Sequence, residues 1–110
     1  MKIVVIDRNV DRHKWHREFW DTEYPDYNID IVESLSHEEV SSLTCDAAII
    51  HYNNSESTYF EENENIDYIK IFFSGGTTSI KEYPEENEYY VPQAHLPSFI
   101  KNKLNGLVGI

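Results

Sequence analysis

The sequence predicts a doubly wound α/β fold, with five parallel strands in the order 2-1-3-4-5 and helices on both faces of the sheet. Three observations lead there. Short apolar runs recur along the chain: KIVVI at Lys2–Ile6, DAAIIHY at Asp46–Tyr52 and YIKIFF at Tyr68–Phe73. Runs this continuous belong to strands buried on both faces. Segments with helical spacing or helix caps separate them, which favours parallel pairing through crossovers. Right-handed crossovers then leave few topologies, and 2-1-3-4-5 is the most economical of them.

Each element has its own signal. Lys2–Ile6 opens the chain as a strand and ends at Asp7. A helix is expected from about Asn9 to Thr22, where Trp15/Phe19 and His16/Trp20 are spaced four apart and line one broad face. Asn9 or Asp11 caps its start and Pro25 forbids its continuation. Asn28–Glu33 alternates as a second strand. Ser36 and Glu39 have the capping-box spacing ahead of Val40 and Leu43, so a short helix follows. The third strand is Asp46–Tyr52. Ser55–Asn65 is a weaker helix, with Tyr59 and Phe60 its only large apolar residues. The fourth strand ends at Ser74-Gly75-Gly76. Residues 75–87 hold too few apolar positions for a regular helix, so a fourth helix is expected to be shortened or lost. Glu88–Val91 is the fifth strand. Pro97 suits a first helical turn, and Phe99, Ile100, Leu104 and Leu107 supply the stripe of a last helix.

No repeat, linker or low-complexity tract divides the chain, so residues 1–110 read as a single domain. Asp and Glu number 20 against 9 Lys and Arg, a net charge of −11. No Lys or Arg occurs between Glu18 and Ile69, where most of the acids fall. Nucleic acid is therefore excluded as a partner bound through phosphate neutralisation, and anionic membranes are disfavoured for the same reason. Apolar residues at 40% and aromatics at 14% argue against disorder. The single cysteine, Cys45, excludes an internal disulfide, and the first apolar run is too short for a signal or membrane segment. A cytoplasmic location is the simplest expectation.

With this order of elements, the chain resembles the receiver domains of two-component signalling, over nearly its whole length. The resemblance rests on KIVVIDRN at the first strand, on the frame Asp46-Ala47-Ala48-Ile49-Ile50-His51 at the third, on Phe73-Ser74-Gly75 at the fourth and on Tyr90-Val91-Pro92-Gln93 at the fifth. It implies a flavodoxin-like, receiver-like fold. It also implies a phosphoryl-transfer site, and there the chain departs from the pattern. Phosphorylation of a carboxylate needs that carboxylate, a Mg²⁺ held by neighbouring acids, and a cation on the phosphoryl oxygens. Here His51 stands at the nucleophile's position, Asp7 is the one acid left after the first strand, and Pro92 or Gln93 replaces the expected lysine. Only the Ser74 hydroxyl survives. The resemblance therefore points to a degenerate pseudo-receiver, not an enzyme, with no metal and no cofactor.

Asp7, Arg8, His51 and Ser74 are expected to converge at the carboxyl ends of the central strands, where open α/β sheets bind ligands. In this vestigial site an Asp7–Arg8 or Asp7–His51 pair stands in for the acid–metal cluster, unless these are simply polar groups capping a sheet edge. His13 and His16 are three apart without a further ligand nearby, a weak metal signal. Cys45 reads as a small buried apolar residue. Ser74, Gly75, Gly76 and Thr77 form a candidate anion-binding loop, or a turn that merely stops the strand.

The acids gather in two places, Glu56–Asp67 and Glu82–Glu88, which flank the same strand in the expected topology. Together they form one negative surface holding Tyr59 and Tyr83, or serve only solubility. The Tyr- and Pro-rich segment Tyr83–Leu96 is the expected contact or dimer surface, with Tyr83, Tyr89, Tyr90 and Gln93 in it. The function expected is a regulatory module acting on a protein partner, basic or a second copy. The alternative is a small acidic inhibitor, a nucleic-acid mimic or immunity-type protein, that blocks a basic site.

Overall fold

The computed structural model describes residues 1–52, 55–62, 67–76 and 78–107, with only the backbone of 55, 56 and 107. Its strands are β1 (Lys2–Ile6), β2 (Asn28–Val32), β3 (Ala47–His51), β4 (Ile69–Ser74), β5 (Lys81–Tyr83) and β6 (Glu88–Pro92). Its helices are α1 (His13–Glu23), α2 (His37–Ser41), α3 (Ser55–Glu62) and α4 (Leu96–Leu107). They build an α/β fold with one mostly parallel sheet, consistent with a flavodoxin-like arrangement. The sheet order is β2-β1-β3-β4-β6-β5.

The expectation of five strands is corrected to six. Residues 81–83, taken as irregular, form β5, which pairs antiparallel with β6. Nothing in KEY alternates over enough length to mark a strand. It is made extended by the neighbouring β6 backbone and by Pro84, which opens the 3₁₀ turn Pro84–Glu86. Asn87 then takes φ 55°, a left-handed geometry that asparagine tolerates better than most residues. The remaining order agrees with expectation, because β6 is the strand foreseen at Glu88–Val91. Three residues, charge and a following proline also keep β5 a poor template for further pairing.

Strand alternation sends side chains to two cores. Ile3, Val5, Ile49, Ile71, Phe73, Tyr89 and Val91 meet Trp20 of α1 and Leu96, Phe99, Ile100 and Leu104 of α4. Val4, Ile6, Ala48, Ile50 and Phe72 meet Val40 of α2 and Phe60 of α3. Leu107, expected in the α4 stripe, has a side chain outside the described residues.

The helix starts follow local chemistry. Asn9 accepts from the Asp11 amide and opens a 3₁₀ turn, Val10–Arg12, so the α-helix proper begins at His13. Its face separates more sharply than the spacing implied: His16 and Trp20 are buried, whereas Trp15 is partly exposed. At α2 the capping box forms as expected, Glu39 N donating to Ser36 Oγ at 3.1 Å and Ser36 N to Glu39 Oε1 at 3.0 Å. Replacing Ser36 by alanine is expected to cost about 1 kcal/mol, read as a lower midpoint of urea unfolding with an unchanged slope.

Candidate functional site

The end of β1 places Asp7 at the carboxyl edge of the sheet, fully buried on the α1 side. A bare carboxylate there would be costly, so its partners are decisive. Arg12 donates Nε to Oδ2 at 2.7 Å and Nη2 to Oδ1 at 2.8 Å. His16 Nε2 lies 2.9 Å from Oδ2, and the Asn9 amide donates to Oδ1 at 3.0 Å. A carboxylate only accepts, so His16 carries its hydrogen on Nε2. His13 Nε2 donates in turn to the Asp7 carbonyl at 2.6 Å. Burial works against the charged carboxyl, but the bonds from His16, Arg12 and Asn9, with the Arg12 charge, hold it well below the usual carboxylate range.

Arg12 is therefore the guanidinium that neutralises Asp7. The anticipated Asp7–Arg8 pair is replaced: Arg8 is exposed, and the donors on the Asp7 carboxylate are Arg12, His16 and the Asn9 amide. The anticipated Asp7–His51 pair is replaced by Asp7–His16. The signal for these partners was present, since Arg12, His16 and Trp20 repeat at four-residue spacing on the face of α1 that turns inward.

His51, at the end of β3, is half-buried, and its ring lies 5.3 Å from that of Phe73. The His16 ring approaches the same Phe73 edge-on at 5.6 Å. Burial and the nearby Arg12 charge push the His51 pKa down, against the pull of Asp7. Ser74 is buried at the end of β4. Arg12, His51 and Ser74 share one cleft of about 560 Å³ with Tyr52, Gly75, Gly76 and Gln93. Of the four residues expected to converge, Asp7, Arg8, His51 and Ser74, this cleft is lined by His51 and Ser74, and Asp7 is linked to it through Arg12. In the candidate anion loop, Gly75 and Gly76 form an exposed turn; Thr77 lies outside the described residues.

These residues do not fit a divalent cation. Both Asp7 oxygens are engaged by donors, Arg12 adds a repelling charge, and no three His, Cys, Asp or Glu groups cluster as ligands among the described residues. Cys45 is no better as a nucleophile, since burial pushes its thiol up to about 12. Compared with known families, curated proteins and solved structures, the chain has no match. No helix among the described residues is long and apolar enough to cross a membrane.

The expected contact surface is divided. Tyr89 is only 3% exposed and packs against Phe99, so it belongs to the core. The residue alternates with Tyr90, and in a strand neighbours face opposite sides. Tyr83 is 41% exposed and Tyr90 is half-buried on the opposite face. Gln93 lines the cleft beside His51. The acidic surface is also redrawn. Glu61 of α3 accepts from the Tyr90 hydroxyl, which also lies 3.5 Å from Glu88, so one acid of each region meets at Tyr90. Glu82, however, turns to the α4 side, 3.8 Å from Lys103. Tyr59 sits edge-on to His37 of α2. Glu64 and the Glu56 side chain lie outside the described residues.

Proposed function

We propose that this chain is a receiver-like regulatory module that acts by binding a protein and does not turn over a substrate. The observation that carries this reading is the saturation of Asp7. Every favourable position on its carboxylate is taken by Arg12, His16 and the Asn9 amide. The acid that would hold Mg²⁺ in a phosphorylatable receiver instead ties β1 to α1. The nucleophile's position holds His51, kept toward its neutral form by its surroundings. Such a site fixes one conformation of the sheet edge. The exposed tyrosine and the carboxylates around β5 and β6 remain the surface suited to a partner.

The test is incubation with acetyl phosphate and Mg²⁺ followed by intact-mass measurement. The mass is expected to stay unchanged. A gain of one phosphate on Asp7, Asp46 or His51 overturns the non-catalytic reading. The contact reading is overturned if the chain sediments as a monomer and retains no protein from an extract of the cells that make it.

A further inference from the structure

In a doubly wound sheet the connection between two neighbouring parallel strands is a helix that covers one face. Between β4 and β6 the described residues instead supply β5 and a 3₁₀ turn. Among the described residues no helix covers the sheet face beyond α3, and its aromatic layer continues from the core to the surface. Phe72, fully buried, stacks on Tyr90 with centroids 4.9 Å apart and planes 17° apart. Tyr52 meets Tyr90 edge-on at 5.5 Å and 85°, and Tyr83 meets it at 5.8 Å and 88°. Two rings thus stand perpendicular to a third. They line a cleft of about 500 Å³ together with Glu86, Glu88, Lys81, Gly76, Thr78 and Ser79.

Carboxylates surround this corner. Tyr90 donates its hydroxyl to Glu61 at 2.8 Å, and the same oxygen of Glu61 lies 3.5 Å from the Tyr52 hydroxyl. Glu88 is 3.5 Å from the Tyr90 hydroxyl. Two ammonium groups lie near Glu86 and Glu88: Lys70, buried in β4 over the Tyr68 ring and paired in register with Glu88, and Lys81, which lines the cleft on the exposed edge strand. Lys70 is enclosed and already offsets part of the charge of Glu88 and Glu86, so Lys81, exposed and in the cleft lining, is the competitor that can be removed without opening the core.

We infer that this tyrosine-walled cleft binds an arginine side chain presented by a protein partner. The inference rests on the protein-contact reading above and names the chemistry of the contact. Tyrosine faces attract cations through the ring quadrupole. A guanidinium is planar, stacks on such a ring and forks to a carboxylate, which a compact ammonium does not. The cleft volume exceeds one guanidinium and leaves room for flanking backbone. Its acids supply the complementary charge that selects a basic segment.

The test is a titration of the intact chain with a blocked Gly-Arg-Gly peptide, followed by NMR, with the citrulline and lysine versions as comparisons. The arginine peptide is expected to shift the Tyr52, Tyr83, Glu88 and Tyr90 signals, and the neutral citrulline peptide to leave them in place. Tyr83→Ala and Glu86→Gln, both at exposed positions, are each expected to weaken binding about three-fold. Lys81→Ala is expected to tighten it by a similar factor. Equal response to citrulline, shifts elsewhere, or indifference to all three variants overturns the inference. Failure here leaves the non-catalytic reading intact, because that reading stands or falls on phosphate gain. Phosphate gain with arginine binding preserved rejects the reading and keeps the cleft.

Discussion

Replacing Arg12 by alanine is expected to lower the unfolding free energy by about 3 kcal/mol at neutral pH. The reason is geometric. Asp7 is fully buried, and Arg12 supplies two of its close hydrogen bonds and its compensating charge. Removing one partner of a buried pair leaves an uncompensated charge, which costs far more than an exposed ion pair contributes. By contrast, the exposed pairs Lys14–Glu18 and Arg17–Asp21, at 3.9 and 3.8 Å, should be nearly silent. Arg12→Met keeps much of the stem and separates lost packing from lost charge; it is expected to retain most of the penalty.

The pH dependence of this effect has a definite sign. Asp7 is held well below its unfolded value, near 3.9. A depressed carboxyl contributes stability above the unfolded pKa and loses it as pH falls through the folded one. The difference between wild type and Arg12→Ala should therefore be full at pH 7 and narrow progressively below about pH 4. Urea unfolding at a series of pH values measures it. A difference that grows on acidification would reject the assignment of Asp7 as a buried, ionised anchor.

The second large effect belongs to Tyr89. Tyr89→Asp is expected to cost about 4 kcal/mol or more, since it removes a buried ring and places a carboxylate among Val91, Phe99 and Ile100. That is much of the stability typical of a domain of this size, so near-UV dichroism and the cooperative transition should be largely lost. Tyr83→Asp, at the 41% exposed position, should change stability by no more than about 0.5 kcal/mol. A stable, cooperatively unfolding Tyr89→Asp chain would show that β6 faces the other way. The contrast also protects binding experiments from misreading: loss of association in Tyr89→Asp reports unfolding, whereas loss in Tyr83→Asp reports the surface.

Much of the architecture is legible in local sequence, because strands and caps are short-range physics. KIVVI, DAAIIHY and YIKIFF announce central strands through continuous apolar character, and their alternation divides cleanly between the two cores. Ser36 and Glu39 announce α2 by spacing alone, and the box forms. β5 is different. Its three residues carry no alternating pattern of their own and are extended by β6 beside them and by the proline that follows. Tyr89 and Tyr90 are likewise indistinguishable as neighbours in sequence. Which of them enters the core depends on the strand's register and on where Phe99 of α4 lands.

The candidate site follows the same division. Sequence order brought Asp7, His51 and Ser74 to one sheet edge, since each ends a parallel strand. It also placed Arg12 and His16 on one helix face. That this face closes over Asp7, making Arg12 rather than Arg8 its counter-ion, depends on how α1 docks against β1. Local sequence carries the parallel strands, the cap of α2 and the thinning of acids at the strand ends. The sixth strand, the engagement of Asp7 and the corner of Tyr52, Tyr83 and Tyr90 arise on packing. Those features join residues far apart in the chain, and their partners exist only once the layers have packed.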